Sequence, residues 1–485
     1  MKSFTVLRRS RQLWSLMITV VTLSGSTYAF TEHVCVATSN LVAAGNTTAV
    51  DILPPWNAQV DLEAVSARAT LRHFLGRHYV VNHSPANSVQ VIDPETFATI
   101  LAFSVGFDTN PQDIAVIDDQ IAYVSCLDSP WLFRINHTTG TKLDSLSLVG
   151  FADPDGLPEM GTMAQDGNHL LIQIRRLDRQ DNLAPVAPSY LAVVDVTTNQ
   201  LVDVDPSAPG VQGIELQGTL PSFKMQLEGR RLYVSVPGEW FDGTGGVEEI
   251  DLDNLQSLGY LTSELQIPAA QMGTFILVSP EKGYVINHTD IALSSHLMSF
   301  TRPEGLPLEE VMFTLGAEVQ NLAFDPATHQ LFFPDSGGLE TGIRILDTTT
   351  DTELTTAPVS TGLPPRDLVV ARPPGPVAVQ EEAEYRPSTN QNLPGAHITE
   401  IQPNPFNPRT TIGYHLDRQQ TVRVAVFDLS GRRVAVLVDQ LHEAGKHTVI
   451  WSGCDAGGRQ LASGTYVVRI ETPGGWDTRQ LGLIR

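Results

Sequence analysis

Short runs of alternating apolar and polar residues fill most of this chain, and Pro, Gly, Asn and Asp cut them at short intervals. The clearest stretch is 79–103, YVVNHSPANSVQVIDPETFATILAF. Tyr79-Val80-Val81-Asn82 is an apolar, β-branched strand, and the residues up to Ser88 are rich in turn formers. Val89-Gln90-Val91-Ile92-Asp93 then alternates, and Pro94-Glu95-Thr96 turns the chain. Pro111-Gln112-Asp113-Ile114-Ala115-Val116 follows as a strand crossing into the next unit. Such runs, bounded by turn residues, predict an all-β fold.

The unit repeats. Its first strand returns as IAYVSC (121–126), HLLIQI (169–174), RLYVSV (231–236), KGYVIN (282–287) and QLFFPD (330–335), with VCVATSN (34–40) an earlier, weaker copy. Its partner returns as LFRINHTTG (132–140), LAVVDVTTN (191–199), VEEIDLDNL (247–255) and IRILDTTTD (343–351). The crossing strand returns as PSFKMQL (221–227) and VQNLAFD (319–325). Copies lie about 45–60 residues apart, which suits a four-stranded propeller blade and is far longer than a β-helix rung. One blade buries little apolar surface, whereas a closed ring leaves only short edges. The copies predict a seven-bladed β-propeller over 30–371. The first copy lacks a crossing strand before it, and Pro365-Arg366-Asp367-Leu368-Val369-Val370 is a spare one after the last. A 3+1 closure is therefore expected, with 366–370 as the inner strand of the first blade. The pattern YVVN…VQVIDPET…PQDIAV resembles the YVTN family of seven-bladed propellers over 34–371; that likeness implies a fold and no particular activity.

Outside the repeats the chain changes character. Residues 1–29 read as a secretory signal: basic residues, the apolar run 13–23, then small residues with a cleavage site at Thr27-Tyr28-Ala29. The apolar run is too short to be a membrane span, and no other segment is a candidate. Residues 372–397, rich in Pro and Glu, are expected to be a disordered linker. Residues 398–485 return to alternation, as in Val422-Arg423-Val424-Ala425-Val426 and Tyr466-Val467-Val468-Arg469-Ile470, with hairpin turns at Ser430-Gly431 and Gly457-Gly458. This predicts a small immunoglobulin-like β-sandwich of about seven strands. Pro403-Asn404-Pro405-Phe406-Asn407-Pro408, VFDLSGRRV at 426–434, AGKH at 444–447, Trp451, DAGGR at 455–459 and ASGTY at 462–466 carry a resemblance. The segment resembles the C-terminal sorting domain of type IX secretion cargo, and equally the immunoglobulin-like module of the flagellar hook-capping protein. The first likeness implies passage across a bacterial outer membrane by the secretion machinery, then release or attachment at the cell surface.

Charge narrows the partners. The net charge is −23, and loss of Lys2, Arg8, Arg9 and Arg11 with the leader takes it to −27. That balance disfavours nucleic acid and anionic membranes. No cofactor is expected, and the acidic balance is compatible with calcium binding. Cys35, Cys126 and Cys454 read as small apolar residues rather than a disulfide framework. No catalytic motif is present. Asp153-Pro154-Asp155-Gly156 reads as a turn, because a calcium loop needs more oxygen ligands at set spacing. His73, His78 and His83 recur at odd spacing, which predicts opposite strand faces and no shared metal.

Ligand contacts are expected on the face where loops are long: 150–160, 174–189, 206–221, 236–246 and 287–296. Trp131, Trp240 and Phe241 could stack on sugars or partner side chains, and Arg175, Arg176, Arg179, Asp178, Glu239 and Asp242 could pair with polar groups. The leading expectation is an exported scaffold that binds protein or glycan at the cell surface. The alternatives are a secreted lactonase or other hydrolase with calcium held by tunnel acids such as Asp113 and Asp367, and an inert envelope spacer.

Overall fold

The computed structural model describes residues 32–372 and 396–483, apart from 41–43, 182, 223, 240–242, 267–270, 289–293, 315–318, 338–339, 405, 408, 417, 429–432, 455–458, 462–463 and 473–474. The expected leader, nearly all of the expected linker and both expected glycine turns of the C-terminal segment thus lie outside the described residues.

Seven antiparallel sheets form the blades of a propeller. Their inner strands are Pro365–Ala371, Ala69–Phe74, Pro111–Val116, Met160–Asp166, Met225–Glu228, Gln271–Ser279 and Ala323–Asp325, here blades 1 to 7. Each of these pairs outward with a copy of the YVVN strand: His33–Ser39, Arg77–Asn82, Ile121–Cys126, His169–Ile174, Arg231–Val236, Lys282–His288 and Gln330–Asp335. These second strands are buried on both faces because blades stack on one another, so they are continuous apolar runs. Outer strands such as Thr99–Ser104 and Thr141–Ser147 are largely exposed. The apolar core lies between neighbouring blades, as where Tyr79, Val81 and Val91 of blade 2 meet Ile114, Val124 and Phe133 of blade 3.

The ring closes as the spare strand predicts. His33 pairs with Ala371, Cys35 with Val369 and Ala37 with Asp367, so blade 1 joins three early strands to one late strand. Arg372 then bonds Asp325 of blade 7 and Glu32 at the start of the ring. Cys35 and Cys126 are buried free thiols, and burial pushes both thiol pKa values up.

The histidines depart from expectation. Odd spacing predicts opposite faces for His73 and His78, yet the structure sets them side by side. Leu75 and Gly76, at φ 49 and 67, form a two-residue turn that folds the chain back, so His73 stands opposite His78 across the hairpin. His73 Nδ1 lies 3.2 Å from His78 Nδ1, and His78 Nε2 lies 3.1 Å from His33 Nε2. His83 is separate and meets Thr70 Oγ1 at 2.9 Å.

The C-terminal segment forms two sheets. One orders Ala396–Gln402, Thr410–Leu416 and Gly445–Trp451; the other orders Arg433–His442, Gln420–Asp428, Gly464–Thr472 and Gly475–Leu483. Ile412, Tyr414, Val424, Trp451 and Ile470 fill the space between. This is the immunoglobulin-like sandwich the alternation predicts. Among the described residues no helix is long and apolar enough to cross a membrane.

Candidate functional site

The inner strands wall a cavity of about 1100 Å³ on the ring axis. Among the described residues Arg68, Arg72, Arg175, Lys224 and Arg366 reach its lining, against one carboxylate, Asp367. In a chain of charge −23 this is a local reversal of sign. Met163, Met225, Met272, Ile276 and Leu277 supply apolar wall between the cations.

The aspartates at matched positions of PQDIAV and PRDLVV are structural. Asp113 of blade 3 accepts Ile114 N–H and, across the gap to blade 4, Met163 N–H, each at 2.8 Å. Asp367 of blade 1 accepts Leu368 N–H at 2.8 Å and Leu71 N–H of blade 2 at 2.7 Å. Each thus staples its blade to the next, which accounts for the echo in sequence. Arg72 sits between them, with Nε 2.9 Å from Asp113 and Nη1 3.8 Å from Asp367. Burial opposes the Arg72 charge, but the two carboxylates more than offset it and hold its pKa above the ordinary value. Burial pushes the Asp113 carboxyl up, against the pull of Arg72.

Lys224 and Arg175 are held by neutral groups. Lys224 Nζ donates to Leu322 O at 2.8 Å and Asn321 Oδ1 at 3.5 Å. Asn321 in turn donates to Asp367 at 2.8 Å. Arg175 donates from Nε to Pro221 O at 3.3 Å and from Nη1 to Gln112 at 3.5 Å. Burial lowers Lys224 to about 8, with Arg72 adding to it, and lowers Arg175 to about 10. His83, on the same wall, falls to about 4 through burial and the neighbouring arginines. Arg175 lies flat against blade 4 because Gly161 has no side chain: a Cβ there would meet Arg175 Nε and Nη2 at 3.0 Å.

The residues picked on the loop-rich face separate. Loops entering a blade and loops within it do share one face: Leu127 N–H reaches Asn110 O at 2.9 Å and Asp128 N–H reaches Thr109 O at 3.1 Å. Part of 206–221 is an exception. Gln200–Leu201 and Ile214–Glu215 both pair with Tyr190–Asp195, so the chain between them is an excursion at the outer edge of blade 4. Trp131 stays 44% exposed at a strand start, and Glu239 is exposed. Trp240, Phe241 and Asp242 lie outside the described residues. Arg175 belongs to the tunnel. Arg176 donates to Pro188 O at 2.9 Å and lies 5.9 Å from the Tyr190 ring. Asp178 caps its own turn by accepting Gln180 N–H at 2.8 Å. Arg179 joins three loops through Asp128 at 2.7 Å, Asp155 at 3.3 Å and Glu159 at 3.1 Å.

Glu159 was not singled out by spacing. It is fully buried, accepts Leu177 N–H at 3.1 Å, and burial pushes it to about 7. Asp153, Asp155 and Glu159 can bring one oxygen each within 4.8 Å of one another, with Arg179 as their counter-charge. Nor did spacing identify Arg68, Arg72, Lys224 and Arg366. Their signal is a cation in or beside a strand that should be apolar.

Known proteins bear on the two halves differently. Residues 407–475 match the FlgD Ig-like domain. The match falls within the C-terminal sandwich, whose core includes Phe406 and Trp451, rings 5.3 Å apart. No curated protein matches the chain. Among solved structures, a candidate 6-phosphogluconolactonase from Bacteroides fragilis is similar at 16% identity and TM-score 0.49, over 71% of this chain and 98% of that one. A Lactobacillus plantarum protein is similar at 14% identity and TM-score 0.49, over 70% and 98%. PorZ, a surface component of the type-IX secretion system of Porphyromonas gingivalis, is similar at 14% identity and TM-score 0.40, over 90% of this chain and 63% of that one. None of these structural similarities speaks to an activity.

Proposed function

We propose that this chain is an exported bacterial propeller that serves as a binding scaffold for protein or glycan at the cell surface, with residues 398–485 addressing the outer-membrane secretion machinery. The tunnel is the observation that carries this reading. It combines apolar wall with a few held polar groups, the composition of a ligand pocket. The leader-like 1–29 and the FlgD-like module support the outward route.

The hydrolase reading has one observation in its favour, the Thr70–His83 pair on the tunnel wall. A general base works best with a pKa near the operating pH. His83, held to about 4, is a weak base, so the pair favours binding over catalysis.

The test is to express the full chain and a version ending at 397 in a bacterium with this secretion route. The full chain should be stripped from intact cells by added protease, or be found in the medium, and the shorter one should stay inside. Cytoplasmic retention of the full chain would overturn the proposal. Turnover of lactones together with a calcium-dependent rise in melting temperature would replace it with the hydrolase.

A further inference from the structure

We propose that the tunnel is an anion site that holds the carboxylate or phosphate of a small acidic ligand between Lys224 and Arg175. This rests on the binding-scaffold reading and names the chemistry of what is bound. Of five cations at the lining, Arg72 is matched by two aspartates and Arg366 donates to Ser39 O at 3.3 Å. Arg68 is exposed to solvent, whereas Lys224 and Arg175 are half-buried and have no salt bridge among the described residues. A cation drawn part-way out of water is disfavoured unless an anion meets it, and the carboxylates that act on Lys224 and Arg175, Asp367 and Glu159, make no direct ion pair with them. A hub that only needed filling would use apolar residues, as it does at Met163, Met225 and Ile276. The cations are also prepared for a ligand. Lys224 uses two of its three donors on Leu322 and Asn321, and Arg175 has donors left over after Pro221 and Gln112. A bound anion would relieve the pressure that keeps both cations below their ordinary pKa values. The volume, about 1100 Å³, suits an acidic sugar or a short acidic oligosaccharide.

The charged and titratable groups that line the cavity with Lys224 are Arg68, at the start of blade 2, Arg72 and His83 of blade 2, Arg366 and Asp367 of blade 1, Arg175 of blade 4 and His288 of blade 6. His83 is already neutral well below pH 7, so Lys224 is the cation whose charge changes near pH 8.

Calorimetry on the full chain, with glucuronate, a hexose phosphate, inorganic phosphate and neutral glucose as probes, tests this. Acidic probes should bind and glucose should not. Lys224→Met and Arg175→Gln should each weaken binding by about tenfold to a hundredfold, the worth of one charged hydrogen bond. Added salt should weaken it further. In the native chain, binding should fade as pH rises through about 8, and Lys224→Arg, which keeps its charge, should abolish that fade. Lys224→Arg also reports on the site if Lys224→Met fails to fold. Preference for glucuronate assigns an acidic sugar; preference for the hexose phosphate assigns a phosphorylated one. Equal binding of glucose and glucuronate, or anion binding that survives both neutral substitutions unchanged, overturns the anion site. In that case retention of a neutral glycan or a protein keeps the scaffold reading, whereas failure of export removes that reading by itself.

Discussion

Gly161 shows how a single position sets up the tunnel. An alanine Cβ would stand 2.7 Å from Gln173 Oε1 and 3.0 Å from two nitrogens of Arg175. Both neighbours are the far ends of flexible side chains, so they should move while the blade survives. Gly161→Ala is therefore expected to cost about 1 kcal/mol or a little more in stability, the lower end of overpacking. It should displace Arg175 and reduce affinity for glucuronate or phosphate as much as Arg175→Gln does. Paired urea melts and calorimetry check this; loss of stability with affinity intact would show that Arg175 does not touch the anion. Such positions are hard to see in a sequence. Arg72 and Lys224 lie far apart in the chain, and only closure of all seven blades turns them toward one space.

Among elements, the recurring tyrosine of the second strand has a repeated task. Tyr79 donates to His137 Nδ1 at 2.8 Å, Tyr123 to Asn199 Oδ1 at 2.9 Å, and Tyr284 to Asp351. Each partner lies in the outer turn of the following blade. In blade 5 the direction reverses, with Arg302 donating to Tyr233 Oη at 2.8 Å. These clasps and the Asp113 and Asp367 staples hold blade to blade. Tyr123→Phe should cost about 1 kcal/mol, a typical net hydrogen bond. Asp367→Ala should cost more, about 2–4 kcal/mol, because it leaves Leu71 N–H, Asn321 and part of the Arg72 charge without an acceptor. Equilibrium denaturation of both variants would expose the error if their costs were equal. This element level is where the sequence was most legible. YVVN and VQVID recur because the same two jobs recur from blade to blade, a strand buried on both faces and its partner, and the Asp of PQDIAV recurs in PRDLVV because both staple one blade to the next. The spare copy at 365–370 revealed the closure for the same reason. The hairpin that pairs His73 with His78 was missed because Leu75 occupies a left-handed position usually signalled by Asn or Gly.

At the scale of the whole molecule, the ring is shut at one seam, and that seam is built from histidines. His33 begins the early strand, His78 stands between His33 and His73, and His73 Nε2 donates to Arg372 O at 3.1 Å where the late strand ends. One tautomer set satisfies the chain with all three rings neutral: His33 donates to His78, His78 to His73, and His73 to Arg372. Burial lowers His73 to about 4 and His78 well below its ordinary value, and the neighbouring rings add to both shifts. A histidine whose folded pKa lies below its unfolded one contributes stability above about pH 6.5 that is lost as pH falls toward 4, because the unfolded chain takes up protons first. For His73 the full loss is about 3 kcal/mol. Glu159 has the opposite sign: raised from 4.5 to about 7, it favours the folded state at low pH and loses that contribution as pH rises. His73, His78 and His83 lose stability between pH 6.5 and 4, while Asp113, Asp153, Glu228 and Glu248, raised by burial, share the sign of Glu159, so the seam's part is read from the difference between the native chain and a variant. His73→Gln separates the seam from the rest, because it removes a titrating ring and leaves Glu159 and His83 in place. Relative to the native chain it should gain stability as pH falls from 6.5 to 4, and amide exchange over His33–Ser39 and Pro365–Ala371 should rise first as the native protein is acidified. An acid dependence identical in the two proteins, with exchange spread evenly over the blades, would move the acid-sensitive element away from the seam.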